Sequence, residues 1–141
     1  MKLEIIKGFG NITPPAKATD GSAGFDIHWP DPEVTLMPGR TYGVDLGFAT
    51  SFPKKCAAFV MPRSGLGSKY GLSLSNTIGL IDSDYRGSWK AIITVDRPLT
   101  LSPGDRFLQF AMVNIPDVEV SLVGVLDETE RGSGGFGHTG K

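Results

Sequence analysis

Apolar residues in this chain arrive in short bursts, each cut off by glycine, proline or an acid–glycine pair. The segments LEIIKGF, FDIHW, EVTLM, RTYGVDLGF, CAAFVMP, GLSLSNTIGLI, WKAIITVDR, DRFLQFAMVNI and VEVSLVGVL are rich in branched and aromatic side chains. They are too short for ordinary helices, and several alternate apolar with polar positions, the period of a half-buried strand. The nineteen glycines and ten prolines fall mainly between these segments, where they punctuate turns. The pattern therefore predicts an all-β protein: an antiparallel, jelly-roll-like β-barrel. One stretch, RSGLGSKYG at 63–71, has room for a short helix, although its glycines weaken helical propensity. The barrel is expected to occupy residues 1–126. Beyond it, residues 127–141 carry five glycines from Gly132 onward and read as a flexible C-terminal arm.

Composition narrows the class without naming it. A length of 141 residues suits one domain, and 40% hydrophobic residues suit an ordinary packed core. A formal charge of −1 supplies no basic surface for nucleic acid or for a membrane. No apolar run is long enough to span a bilayer, and the N-terminus MKLEIIKGFG lacks the features of a secretory signal. Cys56 is the single cysteine, so no intrachain disulfide exists; within KKCAAFV it reads as a small buried hydrophobe. A cytoplasmic, reducing setting is expected.

Three stretches carry candidate chemistry. In NTIGLIDSDYRG (76–87), Asp82 and Asp84 lie two residues apart at a bend, followed by Tyr85. A hairpin here could present backbone donors and acceptors to a flat heterocycle, with Asn76 adding an amide. Tyr85 could pack beneath a sugar, and Asp82 could order an attacking water. In PRSGLGSKYG (62–71), Arg63 and Ser64 precede the possible helix, where a guanidinium and a hydroxyl could meet phosphate. In RGSGGFGHTGK (131–141), closely spaced glycines let backbone approach an anion, Arg131 offers a fork and Phe136 a stacking face. Each stretch also has a plainer explanation: an Asp- and Gly-rich turn, a solvated corner and a frayed tail.

Taken together and in order, five motifs carry a resemblance. AGFDI (23–27), PRSGLGSKYG (62–71), NTIGLIDSDYRG (76–87), GDRFLQF (104–110) and RGSGGFGHTG (131–140) resemble those of the trimeric deoxyuridine triphosphatases. The resemblance to these dUTP pyrophosphatases, or dUTPases, covers essentially the whole chain. It implies hydrolysis of dUTP to dUMP and pyrophosphate by water attack on the α-phosphorus, with Mg²⁺ on the triphosphate. Such a reaction limits uracil incorporation into DNA and supplies dUMP for dTMP synthesis. Asp82 would be the general base. Asp26 would hold the Mg²⁺ site through water, and Arg63, Ser64, Gly65 and Gln109 would contact phosphates. Asn76, Leu80, Ile81 and the Lys90 main chain would read uracil, with Tyr85 as the deoxyribose platform that rejects ribonucleotides. Arg106 would support the site by pairing with an acid. From the arm, Phe136 would stack on uracil, with Arg131, Gly137, His138 and Thr139 closing over the nucleotide. The resemblance further implies a homotrimer whose sites are shared between subunits.

Departures from the commonest family pattern are few. His138 stands where many members carry serine, a bacterial-type feature. Ser88 and Trp89 follow YRG where an acid or amide and an aliphatic residue are more usual, and Trp29 replaces a small residue. Both tryptophans are expected in core or subunit packing, and His28 on a strand's outer face. Two other activities remain compatible with such a chain: a dCTP deaminase, against which Asp-x-Asp-Tyr argues, and an idle nucleotide-sensing or partner-binding protein.

Overall fold

The computed structural model describes residues 2–8 and 12–135. Eleven strands and one helix follow one another: β1 (Glu4–Lys7), β2 (Phe25–His28), β3 (Val34–Leu36), β4 (Tyr42–Asp45), β5 (Phe48–Ser51), β6 (Cys56–Pro62), α1 (Ser64–Tyr70), β7 (Ser73–Leu74), β8 (Gly79–Ile81), β9 (Lys90–Thr94), β10 (Leu99–Leu101) and β11 (Arg106–Asn114). Every described strand pairing is antiparallel. The sheets run β2-β11-β6-β8, β4-β9-β7, β1-β5 and β10-β3, a jelly-roll arrangement in which sequence neighbours seldom pair. Among the described residues no helix is long and apolar enough to cross a membrane.

The core forms where the sheets face each other, and aromatic rings dominate it. Trp89 is wholly buried, 5.0 Å from both the Phe48 and Phe110 rings, and its indole N–H donates to Thr50 Oγ1 at 3.1 Å. That bond satisfies the one polar atom such a large side chain brings inside. Trp29 packs edge-on against Phe107 at 5.2 Å. Both tryptophans thus serve the core, and Cys56 is buried as expected. A register shift between Arg106 and Leu108 breaks the period-2 alternation in β11, so Phe107 and Leu108 are buried in succession.

Two segments depart from the sequence pattern. The run GLSLSNTIGLI is not one strand; it divides into β7 and β8 around Thr77, whose φ of 68° turns the backbone left-handed. A β-branched residue seldom adopts that conformation, so nothing in the apolar pattern signals the break. The run VEVSLVGVL, expected as a strand, forms none: Val120, Leu122 and Leu126 all stand exposed. Within the single chain the last strand ends at Asn114, because no edge of the sheets is paired with residues 118–126. His28 also differs from expectation. It is half-buried, with a shielded Nδ1 that has no hydrogen-bond partner. Burial pushes its imidazole pKa down, a direction reinforced by Arg106 and Arg63 and opposed by Asp26 and the Thr13 backbone.

Candidate active site

The first half of the site is strand-borne. Asp26 on β2 lies opposite Gln109 on β11, which lies opposite Met61 on β6, so one cross-strand row ends beside Arg63. Asp26 is buried, yet both its oxygens are engaged: Oδ1 meets Arg63 Nε at 2.9 Å and Oδ2 meets Arg106 Nη1 at 3.3 Å. Two cations around one carboxylate leave local positive charge, which suits an anion. Arg106 therefore pairs with an acid, as expected, and that acid is Asp26. Gln109 donates its amide to the Pro62 carbonyl at 3.2 Å, holding its own carbonyl towards Gly24. A Cβ at position 24 would stand 2.9 Å from Gln109 Oε1, so a side chain there would push the amide from its place. Asp26, Arg63, Ser64 and Gln109, with Ser22 and Gly24, line a polar cleft of about 320 Å³.

Arg63 stands at the N-cap of α1, whose first turn has no side-chain cap. The helix ends at Gly71 with φ 66°, where a side chain would also run into the Asp96 carboxylate. Ser64 and Gly65 are exposed at its start.

The second half is loop-borne. An apolar cavity of about 370 Å³ lies between the β7–β8 turn and β9, lined by Val60, Leu74, Asn76, Gly79, Ile81 and Lys90 among others. Its size and apolar lining suit a flat ring. Asn76 lies at the strained turn, where the Ile78 N–H donates to the Asn76 carbonyl at 2.7 Å. Leu80 and Asp82 instead face a separate cleft of about 410 Å³, shared with Lys54, Ser83, Asp84 and Ile115. The turn that follows is capped by Arg86, which donates to the carbonyls of Ser83 and Tyr85 at 2.8 and 3.1 Å. Tyr85 is exposed on that turn.

The single chain thus unites Asp26, Arg63, Ser64, Arg106 and Gln109 in one place, and Asn76, Ile81 and Lys90 in another. It does not place Asp82, Leu80 or Tyr85 in either. Arg131 lies in a turn of its own, its Nε donating to the Gly134 carbonyl at 2.9 Å. Phe136, Gly137, His138 and Thr139 lie outside the described residues. Among the described residues, no three His, Cys, Asp or Glu side chains converge to hold a metal.

Comparison with known sequences decides the family. The sequence profile of the dUTPase family matches residues 11–140. The chain belongs to the dUTPase family. It is 41% identical to the deoxyuridine 5′-triphosphate nucleotidohydrolase of Actinobacillus pleuropneumoniae serotype 5b over 99% of this chain and 96% of that one. Against the enzyme of the same name from Idiomarina loihiensis it is 42% identical, covering 93% and 89%. The dUTPase of Staphylococcus bacteriophage 80alpha, solved with dUpNHpp, shares the fold with a TM-score of 0.86 at 23% identity, covering 99% of both chains. A dUTPase variant from phage phi11 of S. aureus, described with a structural Mg(II) ion, superposes with a TM-score of 0.77 at 22% identity, covering 89% and 98%.

Sequence reasoning gave no role to Asp45 or Ser88. Asp45 and Ser88 are hydrogen-bonded to each other beside the Tyr85 turn. The spacing Asp45-Leu46-Gly47 was the available signal, since an Asp two residues before a glycine commonly accepts that glycine's N–H.

Proposed function

We propose that this chain hydrolyses dUTP to dUMP and pyrophosphate. The observation that carries the reading is the Asp26–Arg63–Gln109 cleft, a polar site with two arginines on one carboxylate, in a chain that also holds a separate apolar cavity large enough for a ring. A nucleoside triphosphate needs both kinds of surface, one for charge and one for the base.

The chemistry assigned to the residues is as follows. A water ordered by the Asp82 carboxylate attacks the α-phosphorus, the bond to the α,β-bridging oxygen breaks, and pyrophosphate leaves. Asp82 acts chiefly by orienting the water and taking its proton late. Arg63 spreads over the phosphate oxygens and offsets charge developing in the transition state, held there by Asp26. Gln109 and the Ser64–Gly65 backbone fix the chain of phosphates. Because Asp26 retains unused lone pairs beside its two arginines, it can accept hydrogens from water. That would suit a Mg²⁺ ion carried by the triphosphate and held through water rather than by a cage of protein ligands. When bound, the ion supplies charge neutralisation between phosphate oxygens.

Specificity follows from the hairpin. Backbone groups around Asn76, Leu80 and Ile81, and the main chain of Lys90, match the donor–acceptor order of uracil. A 5-methyl group meets packed side chains, and cytosine leaves polar groups unpaired, which discriminates more strongly. Tyr85 lies under the deoxyribose and excludes a 2′-hydroxyl.

Assembly as a homotrimer is part of the same proposal. Asp82 lines a different cleft from Arg63 in the single chain, so one subunit's hairpin can serve another's phosphate cleft. Residues 118–126 alternate Val118, Val120 and Leu122 with Glu119 and Ser121 yet are exposed, and they need a strand edge from a neighbouring copy. The barrel unit of residues 1–126 then includes a segment completed between subunits. The arm of residues 127–141, with Arg131, Phe136, Gly137, His138 and Thr139, closes over the nucleotide and excludes water.

Pyrophosphate release tests the reading, measured with Mg²⁺ for dUTP, dTTP, dCTP and UTP on wild type and Asp82→Asn. Turnover of dUTP alone, lowered at least about 100-fold by the substitution, is expected. Binding of dUTP without pyrophosphate release would leave a nucleotide sensor instead. Ammonia from dCTP would overturn the hairpin assignment.

A further inference from the structure

The Tyr85 phenol is held in a chain of hydrogen bonds that leads away from every residue assigned so far. Its hydroxyl donates to the Ser88 carbonyl at 3.0 Å. The Ser88 hydroxyl donates to Asp45 Oδ1, and the same oxygen accepts the Gly47 N–H at 2.9 Å. Asp45 closes β4, in register with Lys90 on β9. Around it the two segments are joined by main-chain bonds, Leu46 N–H to Trp89 O at 2.8 Å and Trp89 N–H to Phe48 O at 2.9 Å. Ser88 is therefore fixed on one side by a wholly buried tryptophan and on the other by a carboxylate anchored in the sheet.

Glycine 87 completes the arrangement. The Tyr85 ring lies directly over it, so that a Cβ there would stand 2.4 Å from the phenol oxygen and 2.6 Å from Cζ. Without a tether, an exposed tyrosine on a glycine-containing turn would rotate freely among its rotamers. A ring that rotates cannot exclude a hydroxyl group, because steric rejection requires the obstacle to stay where the hydroxyl would go.

We propose that Asp45 and Ser88 are positioning residues for Tyr85, and that the Asp45–Ser88–Tyr85 link sets the preference for deoxyribonucleotide over ribonucleotide. The proposal rests on Tyr85 being the sugar platform. Ser88 and Asp45 touch neither nucleotide; they act by fixing the carbonyl that receives the phenol. Hydrogen bonding to Ser88 and to the Gly47 amide also holds the Asp45 carboxyl below its ordinary pKa, in keeping with a carboxylate engaged as an acceptor.

The test compares kcat/KM for dUTP and UTP in Ser88→Ala, Asp45→Ala, Ser88→Thr, Tyr85→Phe and Tyr85→Ala, with melting temperatures alongside. Ser88→Ala and Asp45→Ala are expected to lower the dUTP/UTP ratio about tenfold, mainly through a lower KM for UTP, while kcat for dUTP changes by less than about threefold. The two together should be no worse than either alone, since they break one chain of bonds. Ser88→Thr keeps the hydroxyl and should restore the ratio. Tyr85→Phe keeps the ring but loses the tether, so it should match Ser88→Ala even if that variant folds poorly. Equal losses for both nucleotides with an unchanged ratio would make the link merely structural and overturn the proposal. If Tyr85→Ala collapses the ratio and the tether variants do not, the link is wrong and the platform stands. If Tyr85→Ala itself leaves the ratio intact, the platform assignment falls first.

Discussion

The two halves of the site are built differently, and the difference sets how each should fail. On the phosphate side, Asp26, Gln109 and Arg63 sit on or next to three paired strands; Asp26 is already bonded to Arg63 and Arg106, and Gln109 to the Pro62 carbonyl. On the sugar and water side, Asp82, Tyr85 and Asn76 occupy turns, are exposed, and depend on turn geometry for position. Strand-borne groups are organised before any ligand arrives, and their removal should damage folding together with binding. Loop-borne groups cost little stability when changed, so their loss should appear in specificity and rate.

Asp26→Ala should break this comparison most visibly. It leaves Arg63 and Arg106 together without their shared counter-charge. A fully buried pair broken in this way costs about 3–5 kcal/mol; with both arginines partly exposed here, about 1–3 kcal/mol is expected. Activity should fall at least about 100-fold, because the Arg63 guanidinium loses its orientation as well. Denaturant unfolding and pyrophosphate release, run on the same preparation, check the two together. If activity falls while stability is untouched, the strand-borne half is no more organised than the turns.

Leu122→Glu comes next and asks whether an apolar segment without a strand partner belongs to the same fold. Leu122 is fully exposed in the single chain, so its replacement should leave the barrel's own packing intact. In a trimer completed by residues 118–126, a buried glutamate would disrupt the contact between subunits. Sedimentation should then show smaller species, with activity lost alongside. An unaltered trimer would remove this segment from the interface.

How far the sequence could be read follows the same division. CAAFVMP was legible to the residue as β6, because period and punctuation agree there. The helix at 64–70 was legible as a short helical turn in RSGLGSKYG, against the low propensity of its glycines. VEVSLVGVL was not, since a strand pattern states a need for a partner without saying which chain supplies it. Thr77 broke an apparently continuous strand through a backbone angle that its side chain disfavours. Within the site, residue types were visible in the motifs, but pairings were not. That Asp26 would face both Arg63 and Arg106 depends on how distant segments pair, Arg106 lying 80 residues along the chain from Asp26, which no local pattern encodes. His28 was misjudged for a related reason: alternation gives a face, whereas its burial comes from what covers that face.

Gly87→Ala sharpens the loop-borne half. The added Cβ collides with the Tyr85 ring, which must swing outward because it is the movable partner. Melting temperature should change little, whereas the dUTP/UTP ratio of kcat/KM should fall about tenfold, equivalent to about 1.4 kcal/mol. A large loss of stability with an unchanged ratio would show that the turn belongs with the strand-borne half.

The smallest effect should come from acid, and its sign is fixed by Asp45. Its folded pKa lies below the ordinary carboxylate value, first through the Ser88 hydroxyl and then through the Gly47 amide and Lys90, with slight burial opposing. A depressed carboxylate stabilises the fold above the unfolded value of about 3.9, and that contribution disappears as pH falls through the lower folded value. Wild type should therefore exceed Asp45→Asn in melting temperature near neutrality. The margin should be modest, about 2 °C, because the group is largely solvated and surface interactions of this kind are weak. Between about pH 4 and pH 2 the two curves should converge, as the protonated carboxyl comes to resemble the amide. A margin that persists to the acid end would mean that Asp45 holds Ser88 by shape alone, without help from its charge.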